Sequence, residues 1–231
     1  PRLSKTYYKE KYKPNLRLGD FKLPEGWHWQ EPNAKLDSAG KFNFNAVYYE
    51  DENHYKFKEQ VLIEIEKISP PKPKYKTMTY DPDRRLEDID LPTGWHWKYP
   101  YEVPCVEKTY YKAYFKSSEN EPNIYEDAKD VNIEINVRKA VPIMYSYPIA
   151  SSIVYGQSLS HSQLSGFNAS VGGRMKWRDE SFEPNAGNCT LNAIFEPYDY
   201  FNYESVTVPV MLTVNRLKPT LSNTYYRQEY R

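Results

Sequence analysis

Leu23-Pro24-Glu25-Gly26-Trp27-His28-Trp29 returns as Leu91-Pro92-Thr93-Gly94-Trp95-His96-Trp97, a displacement of 68 residues. Internal repetition at a period of this size marks an array of small supersecondary units, so it decides the fold before any other signal. Within the motif, Pro24-Glu25-Gly26 is turn chemistry, and the alternation that follows belongs to a strand. Side chains on a strand point to opposite faces in turn, which sends Trp27 and Trp29 to one side and His28 to the other. The third copy is more divergent but keeps large apolar residues at the same interval, Met175 and Trp177. An inward pair of large apolar side chains in every copy is what a core requires, so Trp27, Trp29, Trp95, Trp97 and Trp177 read as core rather than as a stacking platform for a ligand. His28 and His96 then face solvent.

Spacing extends the alignment away from the motif. Trp29 precedes Ala46 by 17 residues, Trp97 precedes Ala113 by 16, and Trp177 precedes Ala193 by 16. Paired large residues follow each alanine: Val47-Tyr48-Tyr49, Tyr114-Phe115 and Ile194-Phe195. Upstream, Leu18 and Leu23, Leu86 and Leu91, and Leu159 and Leu164 keep a five-residue interval, and the third copy then inserts residues 166–174. Each copy closes on an alternating run: Val61, Ile63, Ile65; Val131, Ile133, Ile135, Val137; Val208, Val210, Leu212, Val214. Ser4 to Lys9 reappears as Ser222 to Arg227, which reads as the opening of a further copy.

Apolar-polar alternation dominates, no long stretch carries a helical apolar stripe, and the aromatic and β-branched residues agree with strands. The fold class is therefore all-β, with three tandem small repeats arranged end to end. Five to seven short strands per repeat fit either an immunoglobulin-like β-sandwich or a β-grasp-like sheet. The expected boundaries are 1–69, 70–140 and 141–217, with 218–231 a linker and the start of another repeat. Proline-bearing connections such as Ser69-Pro70-Pro71-Lys72-Pro73 act as stiff spacers rather than loose tethers.

Composition limits function. Lys plus Arg and Asp plus Glu both number 31, so the formal charge is zero and the broad positive field used to bind nucleic acid is missing. No apolar run approaches the roughly 20 residues that cross a bilayer, and the first residues lack the apolar core of a signal peptide; an export signal or anchor is expected outside this segment. No nucleophile elbow, phosphate-cradling loop or dinucleotide fingerprint occurs, the four histidines have no zinc spacing, and a 70-residue repeat is too small to frame a deep cleft. The expectation is a non-catalytic chain without metal or cofactor. Cys105 and Cys189 lie in different repeats and read as two unpaired thiols, with Cys189 on the inward face of its strand.

With 23 tyrosines the chain has more than its cores need. Tyr55, Tyr125 and Tyr203 stand at similar places before the last strand of each copy and read as core. Tyr99 and Tyr101, and Tyr198 and Tyr200, combine apolar area with a hydrogen-bonding tip and are the candidate binding surface.

The runs Tyr80-Asp81-Pro82 with Leu86-Glu87-Asp88-Ile89-Asp90-Leu91-Pro92-Thr93-Gly94-Trp95-His96-Trp97, and Tyr155-Gly156-Gln157-Ser158-Leu159 with Trp177, Ala193-Ile194-Phe195-Glu196-Pro197 and Asn202-Tyr203, resemble the Ig-like or mostly-β repeats found in tandem in large surface proteins of Gram-positive and related bacteria. The resemblance covers nearly the whole chain. It implies a secreted stalk module of a cell-wall or adhesin-type protein, monomeric within a longer chain, spacing a functional tip from the cell. Abundant Tyr and Lys with few Gly depart from the common pattern and leave a host protein or a glycan as the partner of the alternative, an adhesion module.

Overall fold

The computed structural model describes residues 2–74, 76–119, 123–220 and 227–228. The expected opening of a further repeat at residues 222–226 and 230–231 lies outside the described residues.

Among the described residues the chain forms sixteen strands and four single-turn 3-10 helices. The first repeat contributes β1 (Tyr7–Lys11), β2 (Trp27–Trp29), β3 (Gly40–Tyr48) and β4 (Phe57–Glu66); the second contributes β5 (Lys76–Thr79), β6 (Trp95–Trp97), β7 (Tyr110–Phe115) and β8 (Ala128–Arg138). The third has the short strands β9 (Met144–Ser146), β10 (Ile149–Ala150), β11 (Ile153–Val154), β12 (Leu164–Ser165) and β13 (Asn168–Ala169), then β14 (Gly173–Trp177), β15 (Gly187–Pro197) and β16 (Val206–Asn215). Three four-stranded sheets result, ordered β1-β4-β3-β2, β5-β8-β7-β6 and β11-β16-β15-β14. The order is the same each time, with the first strand beside the last; β1 runs parallel to β4 and β11 parallel to β16. The all-β class is thus observed.

The Trp-to-Ala spacing read from the sequence is a strand pairing. Trp29 lies opposite Ala46, Trp97 opposite Ala113 and Trp177 opposite Ala193. Each alanine is fully buried at this pairing. The closing runs fill the centre of each sheet: Val61, Ile63 and Ile65, Ile133 and Ile135, and Val208 to Val214 in alternation are almost without solvent contact. Each such side chain contributes roughly 2 kcal/mol by leaving water.

The layer facing the first sheet is a connecting segment rather than further strands, which is why the first two repeats hold four strands each and not five to seven. Leu16, Leu18, Phe21 and Leu36 descend from the loops onto the sheet and join its core. Leu18 and Leu86 open 3-10 turns (Leu18–Asp20 and Leu86–Asp88) in which Asp20 and Asp88 accept hydrogen bonds from the Arg17 and Arg85 backbone N–H groups, both at 2.8 Å. In the third repeat the turn is Leu159–His161, and small antiparallel ladders β10-β12 and β9-β13 are added.

By packing, residues 1–76, 82–104 and 108–136 form one compact unit, and residues 77–81, 105–107 and 137–231 form another. The division runs through the second repeat because part of it is drawn into contact with the third.

Candidate functional site

The tryptophans of the repeated motif are buried against their sheets. Gly26 and Gly94 adopt φ of +79° and +82°, and a Cβ at either would lie 2.5 or 2.6 Å from a ring carbon of Tyr48 or Phe115, so turn and core both demand glycine. The indole N–H of Trp29 donates to the Phe21 carbonyl at 2.7 Å, that of Trp97 to Ile89 at 2.9 Å, and that of Trp177 to Ser162 at 3.1 Å. Phe21, Ile89 and Ser162 are the residues that end the three 3-10 turns. Each tryptophan therefore pins the covering segment to its sheet while satisfying a buried carbonyl. Trp27 and Trp95 are buried beside them. The outward histidines are not simply solvated: His28 packs on Tyr49 at 5.6 Å, and His96 stacks on Tyr114 at 5.2 Å.

Tyr99, Tyr101, Tyr198 and Tyr200 are all exposed. Tyr99 and Tyr101 belong to the first compact unit, where Lys98 and Arg85 approach their rings. Tyr198 and Tyr200 belong to the second and line a groove with Arg174, Glu196, Pro197 and Ser205. Lys176 and Arg174 hydrogen-bond the Glu196 carboxylate at 2.6 and 2.8 Å and hold it below the usual carboxylate range. Cys105 and Cys189 are not joined in a disulfide, and Cys189 is half-buried against the third core.

The arrangement that recurs at the repeat junctions was not anticipated from sequence. In each repeat a tyrosine N–H closes the ladder between first and last strands: Tyr12 to the Glu66 carbonyl, Tyr80 to Arg138, Tyr155 to Asn215. Two residues beyond those carbonyls stand Ile68, Ala140 and Leu217. Ile68 inserts as a single parallel bridge beside Tyr125: its N–H donates to the Ile124 carbonyl at 2.9 Å, and its carbonyl accepts the Glu126 N–H at 2.9 Å. Ala140 does the same beside Tyr203, donating to Asn202 and accepting from Glu204, again at 2.9 Å each. The preceding basic residue reaches the next repeat both times, Lys67 to the Ser117 hydroxyl at 3.4 Å and Lys139 to the Tyr200 carbonyl at 2.6 Å. Ser69 adds a bond to Glu126, and the Asn202 side chain accepts the Val106 N–H. Tyr80 meets Tyr203 edge to face at 5.3 Å. The first junction lies wholly in the first compact unit and the second wholly in the second. A sequence signal existed: Lys67-Ile68, Lys139-Ala140 and Arg216-Leu217 are basic-apolar pairs with proline two positions on, at Pro70, Pro142 and Pro219.

None of the three tyrosines expected as core is buried: Tyr125 and Tyr203 are half-buried and Tyr55 is exposed. His54, not Tyr55, occupies the equivalent place, meeting Tyr48 edge to face at 5.5 Å as Tyr125 meets Phe115 at 5.8 Å. Tyr55 stands two residues before β4, where Tyr125 and Tyr203 stand three residues before β8 and β16, and it is 88% exposed. The loop is tied by Asp51, which accepts hydrogen bonds from the Tyr48 hydroxyl (2.7 Å) and the Asn53 N–H (2.8 Å) and contacts His54 Nδ1 at 2.9 Å. These bonds, that of Tyr48 foremost, hold the Asp51 carboxyl well below the usual range and push the Tyr48 phenol up.

No protein-family model matches the chain, and no curated protein matches it. Solved structures with some similarity include three extracellular cadherin domains of Drosophila N-cadherin (10% identity, 92% of this chain and 100% of that one, TM-score 0.26). Domains 22–24 of mouse cadherin-23 (14% identity, 93% and 97%, TM-score 0.22) and an endo-fucoidan hydrolase of glycoside hydrolase family 107 (10% identity, 86% and 38%, TM-score 0.19) are others. At these TM-scores the likenesses carry no functional argument. Among the described residues no helix is long and apolar enough to cross a membrane.

Proposed function

We propose that the chain is a non-catalytic, extracellular tandem module that acts as a stalk, holding a functional tip of a bacterial surface protein away from the cell. The observation that carries this reading is the junction made twice with one geometry, Ile68 beside Tyr125 and Ala140 beside Tyr203. A stalk needs its joints fixed, and a backbone bridge flanked by prolines fixes both register and direction at little cost in sequence. Small-angle X-ray scattering tests it. A compact chain of this length has a radius of gyration of about 17 Å; a clearly larger value with a rod-like distance distribution is expected, and a compact value would remove the stalk.

A second reading, adhesion to a host protein or glycan, has one observation in its favour: the Tyr198–Tyr200 groove, which pairs exposed aromatic faces with the Arg174–Glu196 ion pair. Aromatic faces beside charged hydrogen-bonding groups suit a sugar or a peptide. Glycan and protein arrays probed with the native chain and a Tyr198→Ala/Tyr200→Ala variant test it; signal lost in the variant supports the reading, and none with the native chain ends it.

A further inference from the structure

We infer that the outward face of residues 141–149, in the third repeat, is a self-association surface on which a second copy of this chain docks face to face as a two-fold dimer. It stands independently of the stalk reading and departs from the monomer that the resemblance implied.

From Val141 to Ala150 the chain alternates without exception: every odd-numbered residue is exposed and every even-numbered one is covered. Met144 and Ala150, on the covered side, pack against the third core. The outward side is Val141, Ile143, Tyr145, Tyr147 and Ile149, each between 61% and 70% exposed. A strand with one face in water carries polar residues there; apolar residues on both faces are the pattern of a strand covered on both sides. Taking about 150–200 Å² for a large side chain in full exposure, the five leave roughly 500–600 Å² of mostly apolar surface open, as much as the largest patch on an ordinary monomer.

The face is not a junction surface. The parts of the second repeat that join the third in its compact unit are residues 77–81, 105–107 and 137–140. Tyr80 is equivalent to Tyr155 and Ala113 to Ala193, so the counterparts in the third repeat are 152–156, 185–187 and the end of β16. None of these falls within 141–149.

Charge selects the occupant. From Val141 to Gly173 there is no Asp, Glu, Lys or Arg, in a chain of which 27% is charged. The other repeats are not neutral at the same place: the 3-10 turn holds Asp20 in the first and Glu87 and Asp88 in the second, but reads Leu159-Ser160-His161 in the third. A two-fold contact brings a surface against itself, so a charge near its axis meets its own like. A surface cleared of charge suits that geometry, whereas a charged foreign partner calls for complementary charges. Three of the five outward residues are aliphatic, which suits packing against protein better than stacking on a sugar. An axis through Tyr145 sets Val141 against Ile149 and Ile143 against Tyr147, apolar on apolar along the stripe.

Contact runs through the face and not the strand edge. Among the described residues β9 pairs only with β13, and both the N–H and the C=O of Ile143 turn to Ser170 on that side. Residues of the other parity turn to the free edge, where Pro142 and Pro148 have no N–H to offer. The dimer therefore closes instead of growing by strand addition.

A patch of this size is at the low end for stable complexes, so a reversible dimer with a dissociation constant on the order of 0.1 mM is expected. Sedimentation equilibrium of the full chain from about 10 μM to about 1 mM tests it. Tyr145→Asp places two carboxylates at the axis and should weaken the dimer at least about tenfold. Ile149→Lys, at the end of the stripe, should weaken it as well and keeps the test standing if the first variant misfolds. Tyr198→Ser/Tyr200→Ser, elsewhere on the same unit, should leave it unchanged. A monomer up to about 1 mM would overturn the inference and leave the face to a partner of other chemistry. So would a dimer that the two stripe variants form as well as the native chain, or one lost when salt rises from about 0.05 to about 0.5 M, since an uncharged contact gives salt nothing to screen.

Discussion

At the residue scale, the recurrent tryptophan does two things that no other side chain combines. It fills the space over a fully buried alanine, and its N–H satisfies the last carbonyl of the covering turn. Trp97→Phe keeps most of the apolar area but leaves the Ile89 carbonyl unpaired in the core. The expected loss is about 1–3 kcal/mol of second-repeat stability, read by urea denaturation. Asp51 gives a prediction in pH. Its carboxyl is depressed in the folded state, so its stabilising contribution is present above the unfolded value near about 4 and is lost as pH falls through its own lower midpoint. Carboxyl NMR should place its midpoint below those of ordinary aspartates, and Tyr48→Phe, which removes the first of its hydrogen bonds, should move that midpoint up. An unmoved midpoint would remove the hydroxyl as the cause. The tryptophans were legible in sequence because a strand's two-residue period and a repeated displacement both pointed to them. Tyr55 was not, because it stands one residue nearer its following strand than Tyr125 and Tyr203 do, a difference that repeat spacing alone does not show.

At the element scale, the long strands were legible and the short elements were not. β4, β8 and β16 announce themselves by alternation along their whole length. A three-residue 3-10 turn has no period to read, and the small ladders β9-β13 and β10-β12 depend on pairing across distant sequence. The parallel partner β1 is likewise set by tertiary context: Tyr8 lies opposite Ile63, and its hydroxyl donates to the Lys22 carbonyl at 2.7 Å, tying the edge strand to the covering segment. Tyr8→Ala should therefore cost about 3 kcal/mol or more in the first repeat, as large aromatic truncations do. The third repeat's transition should stay where it is; a coincident shift of both would show that they unfold as one body.

At the scale of the whole molecule, repetition was the most legible feature and the joints between repeats the least. Proline-rich connections were visible, but proline alone distinguishes a stiff spacer from a docked one no better than it distinguishes their lengths. What makes the joint is a backbone bridge, to which side-chain identity contributes little; Ile68 and Ala140 share the place with only apolar character in common. Ala140→Pro removes the N–H that Asn202 accepts and should loosen the second junction while leaving Trp177 buried. The expected result is a broadened distance distribution in scattering with unchanged near-ultraviolet circular dichroism.

The most direct test of the account is native-state hydrogen exchange at two amides, Glu126 and Glu204, whose only protection at the junction is the carbonyl of the preceding repeat's exit residue. Docked junctions predict that both exchange at least about tenfold more slowly than the open-loop amide of Tyr55, and that Ala140→Pro abolishes the difference for Glu204 alone. Exchange of Glu126 and Glu204 at the rate of Tyr55 would contradict the account and leave a chain of independently tethered repeats.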